Sequence, residues 1–366
     1  MLNLYETSSS SDEENDLLAN IFQNRRKEKR IRERVNHMEY WDEEEFFIRF
    51  RLTKDSVRQL LDIIVETLET ATNRNAAITP ITQLLLALRY YATGSMLIVV
   101  GDFCGVHKST ASRMVKKVSE AIASLRNRFI NFPQDPHEID RICTKFYEIA
   151  RFPRVIGTID CTHIKIQSPG GDQAENFRNR KGYYSFNVQT ICDGNLCIRD
   201  IVARWPGSSH DQTIFNASSI KAKFDRGDMQ NKVLLGDSGY GLSRYLITPL
   251  PNPILPQEIL FQEALLRTRY VVERSYGVWK RRFPILSLGI KLDYTRVQAV
   301  IVACAVLHNI AVLNGENEPP LDRAIRDNFL QGIQEANIPN GLGNEINENG
   351  ANYKKETECI SNIVQV

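Results

Sequence analysis

Between residues 40 and 128 apolar side chains recur at helical spacing. Phe46, Phe47 and Phe50 precede Val57, Leu60, Leu61, Ile64, Val65 and Leu68, set three and four apart. Thr79-Pro80 then opens a run through Leu84, Leu85 and Leu88. After Gly94 the pattern predicts a short helix over 99–104, a turn at Gly105-Val106 and a second helix over 107–125. Ala111, Met114, Val115, Val118 and Ile122 face inward on that second helix. This is helix-turn-helix spacing. It puts Lys108, Ser109, Thr110, Ser112 and Arg113 where base edges can be reached, with Lys116 and Lys117 available for phosphates. A plain helical hairpin with a polar face fits the same pattern.

Phe132-Pro133 and Pro136 mark a linker, beyond which the period changes from helical to strand-like. Residues 155–166, 183–192 and 196–205 are rich in β-branched side chains and read as strands, the last two joined as a hairpin by Asp193-Gly194. Pro206-Gly207 ends the third strand. Ser209 to Gln212 has capping-box spacing and opens a short helix. A fourth apolar strand, 233–236, leads into Asp237. In RTRYVVERSYGVWKRRF, residues Val272, Tyr276, Trp279 and Phe283 form the buried stripe of a helix. The apolar run 301–312 is shorter than the ~18–20 residues that span a bilayer and reads as a buried helix, so no membrane association is expected. The expected organisation is a tail at 1–38, an all-α N-terminal domain with the helix-turn-helix-like segment at 39–132, an α/β domain with a mixed sheet flanked by helices at 150–313, and a mostly disordered tail at 314–366 with a short helix at 321–335.

Charge changes this picture only locally. The net charge is +2 over 366 residues, too near neutral to argue for nucleic acid. The clusters carry more information: Arg25 to Arg34 is basic and reads as a nuclear import signal or a phosphate contact, although Glu28 and Glu33 interleave as on a solvated helix face. Nucleus, and cytoplasm as well, are the expected compartments. Seven cysteines without a CxxC pair point to a reducing compartment, and Cys192 and Cys197 read as core packing beside the hairpin turn.

Three carboxylates stand in unusual places. Asp160 lies inside the most strand-like segment, where a carboxylate is disfavoured and costly if buried unpaired. Asp237 ends the fourth strand. Glu273 is about 100° around its helix from the buried stripe, at the margin of the buried face. Carboxylate oxygens suit Mg²⁺ or Mn²⁺. Each acid also has a plain reading, as a turn residue, a cap or a salt bridge.

The blocks VIGTIDCTHIKIQSP, RNRKGYYSFNVQTICD, WPGSSHDQTIF, LLGDSGYGLSRYLITPL and RYVVERSYGVWKRRFPIL follow one another in this order, after FFIRFRLTKDSV and LLLALRYYATGSM. In this they resemble the PIF/Harbinger superfamily of DDE transposases, and most of all its host-domesticated branch, the harbinger transposase-derived nucleases. The resemblance runs from about residue 40 to about 312. It implies a ribonuclease H-like fold and assigns the catalytic, metal-binding acids to Asp160, Asp237 and Glu273, the last two 36 residues apart.

Asp211 competes with Asp237 as the second acid but reads more simply as a helix cap. His210 reads as support beside the metals or a cap, and His308-Asn309 as a core pair. Arg269 and Lys280, on the helix of Glu273, and Arg178, Arg180 and Lys181, in the loop before the second strand, are candidate DNA contacts beside Lys108, Arg113 and Lys116. The function expected is a divalent-metal-dependent DNA endonuclease working by two-metal hydrolysis. Asp160 bridges both ions, and Asp237 and Glu273 each complete one. The resemblance further implies a Myb/SANT-like DNA-binding partner, and a homo-oligomer stays open. The alternatives are a domesticated DNA- or protein-binding factor that does not cut, and a ribonuclease H-type enzyme on RNA–DNA hybrids, which shares the fold but not these blocks.

Overall fold

The computed structural model describes residues 34–69 and 77–320. The acidic segment 1–20, the basic run up to residue 33 and the helix expected over 321–335 lie outside the described residues.

The N-terminal half is built from capped amphipathic helices. Helix α1 (Glu43–Phe50) starts at Asp42, whose side chain accepts from the Glu45 amide. Helix α2 (Lys54–Leu68) is capped by Thr53 and buries Val57, Leu60, Ile64 and Leu68, while Leu61 and Val65 stay half-buried. Helix α3 (Pro80–Thr93) has Thr79 as cap, Pro80 in its first turn and Gly94 in the left-handed conformation at its end. Helices α4 (Leu97–Phe103) and α5 (Lys108–Ser124) are the expected pair, the first beginning two residues earlier than the periodicity suggests. Ala111, Val115, Val118 and Ile122 of α5 are buried, and Met114 packs at the edge of the core. Lys117 is not turned to solvent. Its ammonium donates to the carbonyls of Leu68 and Glu69 at the end of α2, a favourable place for a cation.

The linker expected around Pro136 is instead the start of a helix, α6 (Pro136–Ala150). Asp135 caps the amides of His137 and Glu138, and Pro136 occupies the first turn, where its missing N–H costs nothing. Ile142 and Phe146 bury against the sheet.

That sheet has five strands: β1 (Val155–Lys165), β2 (Ser185–Cys192), β3 (Ile198–Pro206), β4 (Val233–Leu235) and β5 (Leu246–Ile247), in the order β3-β2-β1-β4-β5. β1, β2 and β3 run antiparallel in succession, and β4 and β5 lie parallel to β1. It is therefore the mixed sheet flanked by helices that the sequence predicts, with β5 as an unforeseen fifth strand. Cys192 and Cys197 are buried thiols, with Cys192 against Thr158 at 3.2 Å.

Helices α7 (Asp211–Asn216) and α8 (Ser219–Arg226) lie between β3 and β4, and α9 (Pro256–Arg282) crosses β1 with Val272, Tyr276 and Trp279 buried. The last helix, α10 (Tyr294–Leu313), starts seven residues earlier than its purely apolar run. It is long and apolar enough to cross a membrane by length and composition. It is, however, a core helix: residues from Val297 to Ala311 pack between α5 and β3, and burial pushes His308 down to about 4. His308 Nε2 bonds the Leu196 carbonyl at 2.8 Å, and Asn309 bonds both the amide and the carbonyl of Ile198. One continuous set of buried side chains runs from Phe46 to Ala311. Arg282, at the end of α9, clasps the two ends of the described chain, donating to the Arg51 carbonyl, to Glu316 and to the Asn317 carbonyl.

Candidate metal centre

Asp160 sits in the middle of β1, opposite Thr190 of β2. The Tyr276 phenol, from α9, donates to the Asp160 main-chain oxygen at 2.6 Å and accepts from the Thr190 hydroxyl at 3.0 Å. The helix and the strand are thereby held in register at the acid. Asp237 follows β4 by two residues, where Pro- and helix-free backbone turns, and its Oδ1 accepts from the Gly239 amide at 3.0 Å. The parallel pairing of β4 with β1 brings these two acids side by side.

A third carboxylate joins them. Asp211, the first residue of α7, accepts from Asn187 Nδ2 at 2.8 Å, and Asn187 is a buried polar residue of β2. Ligand atoms of Asp160, Asp211 and Asp237 all lie within 4.8 Å of one another. The expected capping role fails for a local reason. His210 holds the cap position without a side-chain bond, and Gln212 turns to the Gly241 amide and Asn216 rather than back to Ser209. Freed of capping, Asp211 points its carboxylate at the other two acids.

Three anions in a half-buried place raise each other's cost of ionisation. Burial pushes the Asp160 carboxyl up to about 7; the Arg269 guanidinium opposes this, and the Asp237 charge adds to it. Asp237 is raised as well, again by burial first.

Glu273 stands beside this group rather than in it. Its Oε1 accepts from Arg269 Nη2 at 2.6 Å, one turn back on α9, and Arg269 Nη1 lies 3.7 Å from Asp160 Oδ2. A single guanidinium thus spans Glu273 and Asp160. The geometry alone ranks neither Asp211 below Asp237 nor Glu273 above Asp211.

The remaining candidates divide by position. Arg180, grouped in the sequence only with its basic neighbours, reaches His210 Nδ1 at 2.8 Å, next to Asp211. Arg178 is engaged by Glu175, Tyr184 and the Gly182 carbonyl. Lys181 is exposed on the same loop, its amide donating to Asn179 Oδ1. Lys280 does not project outward: its ammonium donates to Thr162 Oγ1 at 2.6 Å, and burial pushes it down to about 8. Lys108 and Arg113 are exposed on α5, and Lys116 lies 3.8 Å from Glu120. Asn187 and Tyr276 were not singled out from the sequence as site residues. An available signal was the polar Asn187 in a strand, SFNVQTIC, whose every residue is buried.

An all-oxygen donor set of partly buried carboxylates fits a hard divalent cation, whose charge relieves their repulsion. Comparison with known proteins agrees. A family model described as DDE superfamily endonuclease matches residues 159–309, a stretch that includes Asp160, Asp211, Asp237 and Glu273. Such a domain implies divalent-metal use. The chain is 35% identical over 260 residues to the protein named "Putative nuclease HARBI1" of Bos taurus, covering 70% of this chain and 74% of that protein, and equally to its namesake of Homo sapiens. It is 26% identical over 243 residues to the protein ALP1-like of Arabidopsis thaliana, covering 62% and 59%. No solved structure matches the chain.

Proposed function

Because the chain belongs to the harbinger transposase-derived nucleases, we propose that it is a DNA endonuclease hydrolysing phosphodiester bonds with Mg²⁺ or Mn²⁺ held by Asp160, Asp211, Asp237 and Glu273. The observation that carries this reading is the convergence of Asp160, Asp211 and Asp237 from a mid-strand, a helix start and a strand end onto one point. Divalent cations held by these carboxylates would supply activation of water and charge neutralisation at the scissile phosphate.

The chain's own residues prepare that place. Tyr276 fixes the backbone that carries Asp160. Asn187 and the Gly239 amide each hold one carboxylate oxygen, of Asp211 and Asp237, so that orientation is settled before substrate arrives. Arg180, beside His210, stands at the exposed side of the acids, where it can take a non-bridging phosphate oxygen. Strand order and polarity support a ribonuclease H-like reading of the domain. The exposed Lys108 and Arg113 at the start of α5 support a helix-turn-helix contact with duplex DNA in the preceding helices. A Myb/SANT-like partner and a nuclear location with a cytoplasmic pool belong to the same reading.

The test is a nicking assay on supercoiled DNA with Mg²⁺, Mn²⁺ or chelator, with and without a Myb-like partner. Metal-dependent nicking is expected. Duplex binding without nicking under every condition would leave a non-cutting binding factor in its place.

A further inference from the structure

Arg269 is a feature of the centre that a cation-binding site does not explain. It sits between Glu273 and Asp160, with its side chain 15% exposed, and its Nη1 is buried without a hydrogen-bond partner. Its Nη2 bonds Glu273 at 2.6 Å, while Nη1 lies 3.7 Å from Asp160. The contact with Asp160 is long for a hydrogen bond, so the guanidinium is anchored by Glu273 and merely faces Asp160. It also opposes the upward shifts of both Asp160 and Asp237, so its charge is felt across the whole group.

We propose that Arg269 competes with the divalent cation for Glu273 and Asp160, and that metal uptake requires the guanidinium to leave Glu273. This rests on the metal-centre reading above and adds regulation to it. Two positive centres cannot share Glu273 and Asp160 at contact distance without strong repulsion. Glu273 and Arg269 are one turn apart on α9, so their pairing is local and survives any shift of the helix as a whole. Release therefore needs a rotamer change of Arg269 and not a rearrangement of the fold. Once released, the guanidinium stays beside the centre, where a DNA phosphate is the anion that suits its planar fork. Arg269 is on this account a positioning residue: it keeps Glu273 oriented and sets how tightly the acids take metal.

The experiment titrates Mn²⁺ alone into the full chain without DNA, reading free Mn²⁺ by electron paramagnetic resonance. It compares wild type, Arg269→Gln, Arg269→Lys and Arg274→Gln. Arg274 lies on the same helix but pairs with Glu318 away from the acids, and controls for loss of one positive charge. Arg269→Gln should bind Mn²⁺ roughly tenfold more tightly than wild type, from loss of a nearby like charge. Arg269→Lys, which keeps the charge but not the fork, should fall between the two and serves as the test if Arg269→Gln does not fold. Arg274→Gln should match wild type. Equal affinities for wild type and both Arg269 variants, or weaker binding on substitution, would overturn the competition and leave the metal centre standing. No Mn²⁺ binding by any protein would remove both.

Discussion

Tyr276 and Asp160 meet across the interface of α9 and β1, the phenol donating at 2.6 Å to the main-chain oxygen of the very residue whose carboxylate heads the acid group. The same phenol accepts from Thr190 on the neighbouring strand. One hydroxyl therefore ties together the helix bearing Arg269 and Glu273 and two strands of the sheet.

Tyr276→Phe should keep the fold and lose that tie. A buried carbonyl and a buried hydroxyl are left short of a partner, costing about 1–3 kcal/mol, or a few degrees in melting temperature. Cleavage should fall roughly tenfold, because the acids are less well placed. Thermal melts and nicking rates read this directly; a variant with lowered stability and undiminished cutting would make Tyr276 a packing residue only.

Asp211 separates the cap reading from the ligand reading. Asp211→Asn keeps a side chain that can still face Asn187 but removes the charge. The rise in melting temperature that Mn²⁺ gives wild type should disappear, as for Asp160→Asn and Asp237→Asn, and cleavage should drop about a hundredfold or more. A normal Mn²⁺ shift in Asp211→Asn would return the residue to a purely structural role.

The pH dependence follows from Asp160. Its folded pKa, about 7, lies above the ordinary carboxylate value, so the folded state holds the proton more tightly than the unfolded chain. With chelator present, protonation stabilises the fold below 7, and that stabilisation is lost as pH rises through 7. Asp160→Asn should be the more stable protein at about pH 8, and its advantage should shrink steadily as pH falls below about 7 and close only near the ordinary carboxylate value. His308 acts in a different window. Its folded pKa, about 4, is depressed below the ordinary histidine value, so its contribution is complete above about 6.5 and lost as pH falls towards 4. The difference between urea melts of wild type and Asp160→Asn from about pH 5 to 8 isolates the Asp160 effect, since His308 is common to both; parallel profiles would contradict it.

Part of this site is legible in the sequence, and the reasons are physical. Asp160 stood out because a carboxylate inside VIGTIDCTHIKI contradicts its surroundings, and the Asp193-Gly194 turn announced the β2–β3 hairpin. What stayed hidden depends on tertiary neighbours. The Ser209–Gln212 spacing suits a capping box, yet Gln212 finds the Gly241 amide 29 residues away, and Asp211 is left to face Asp160 and Asp237. Arg269 reads from the sequence as a DNA contact, because its i,i+4 spacing from Glu273 says nothing about Asp160 on another element. α6 was overlooked because Pro136 signals both a linker and a first helical turn. The two-residue strand β5 is recognisable only through its pairing with β4.

At α5 the forecast concerns affinity. Lys108→Glu with Arg113→Glu should weaken duplex binding and flatten its dependence on salt, because fewer counterions are released. Melting temperature should hardly change, since both side chains are exposed. Unaltered binding across a salt series would assign this face of α5 to another purpose.

Gly207→Ala tests the connection that carries His210 and leads into Asp211. A Cβ there would sit 2.3 Å from Ser185 Oγ and 2.6 Å from the Phe177 carbonyl. Overpacking of this kind costs about 1–3 kcal/mol. Melting temperature and cleavage should fall together, because Asp211 lies four residues further along the same connection. An Ala variant as stable and active as wild type would show that the loop yields freely.

The position of α10 also dictates an order of events during synthesis. His308 and Asn309 satisfy the backbone of Leu196 and Ile198, more than a hundred residues earlier, and the same helix lies against α5. Glu316, just beyond it, accepts from Thr53 and Arg282. Neither the early helices nor the edge of the sheet can complete its packing until this late segment has left the ribosome. A nascent chain must therefore carry β3 and α5 with apolar faces uncovered through most of translation, the interval in which chaperones have the most to hold.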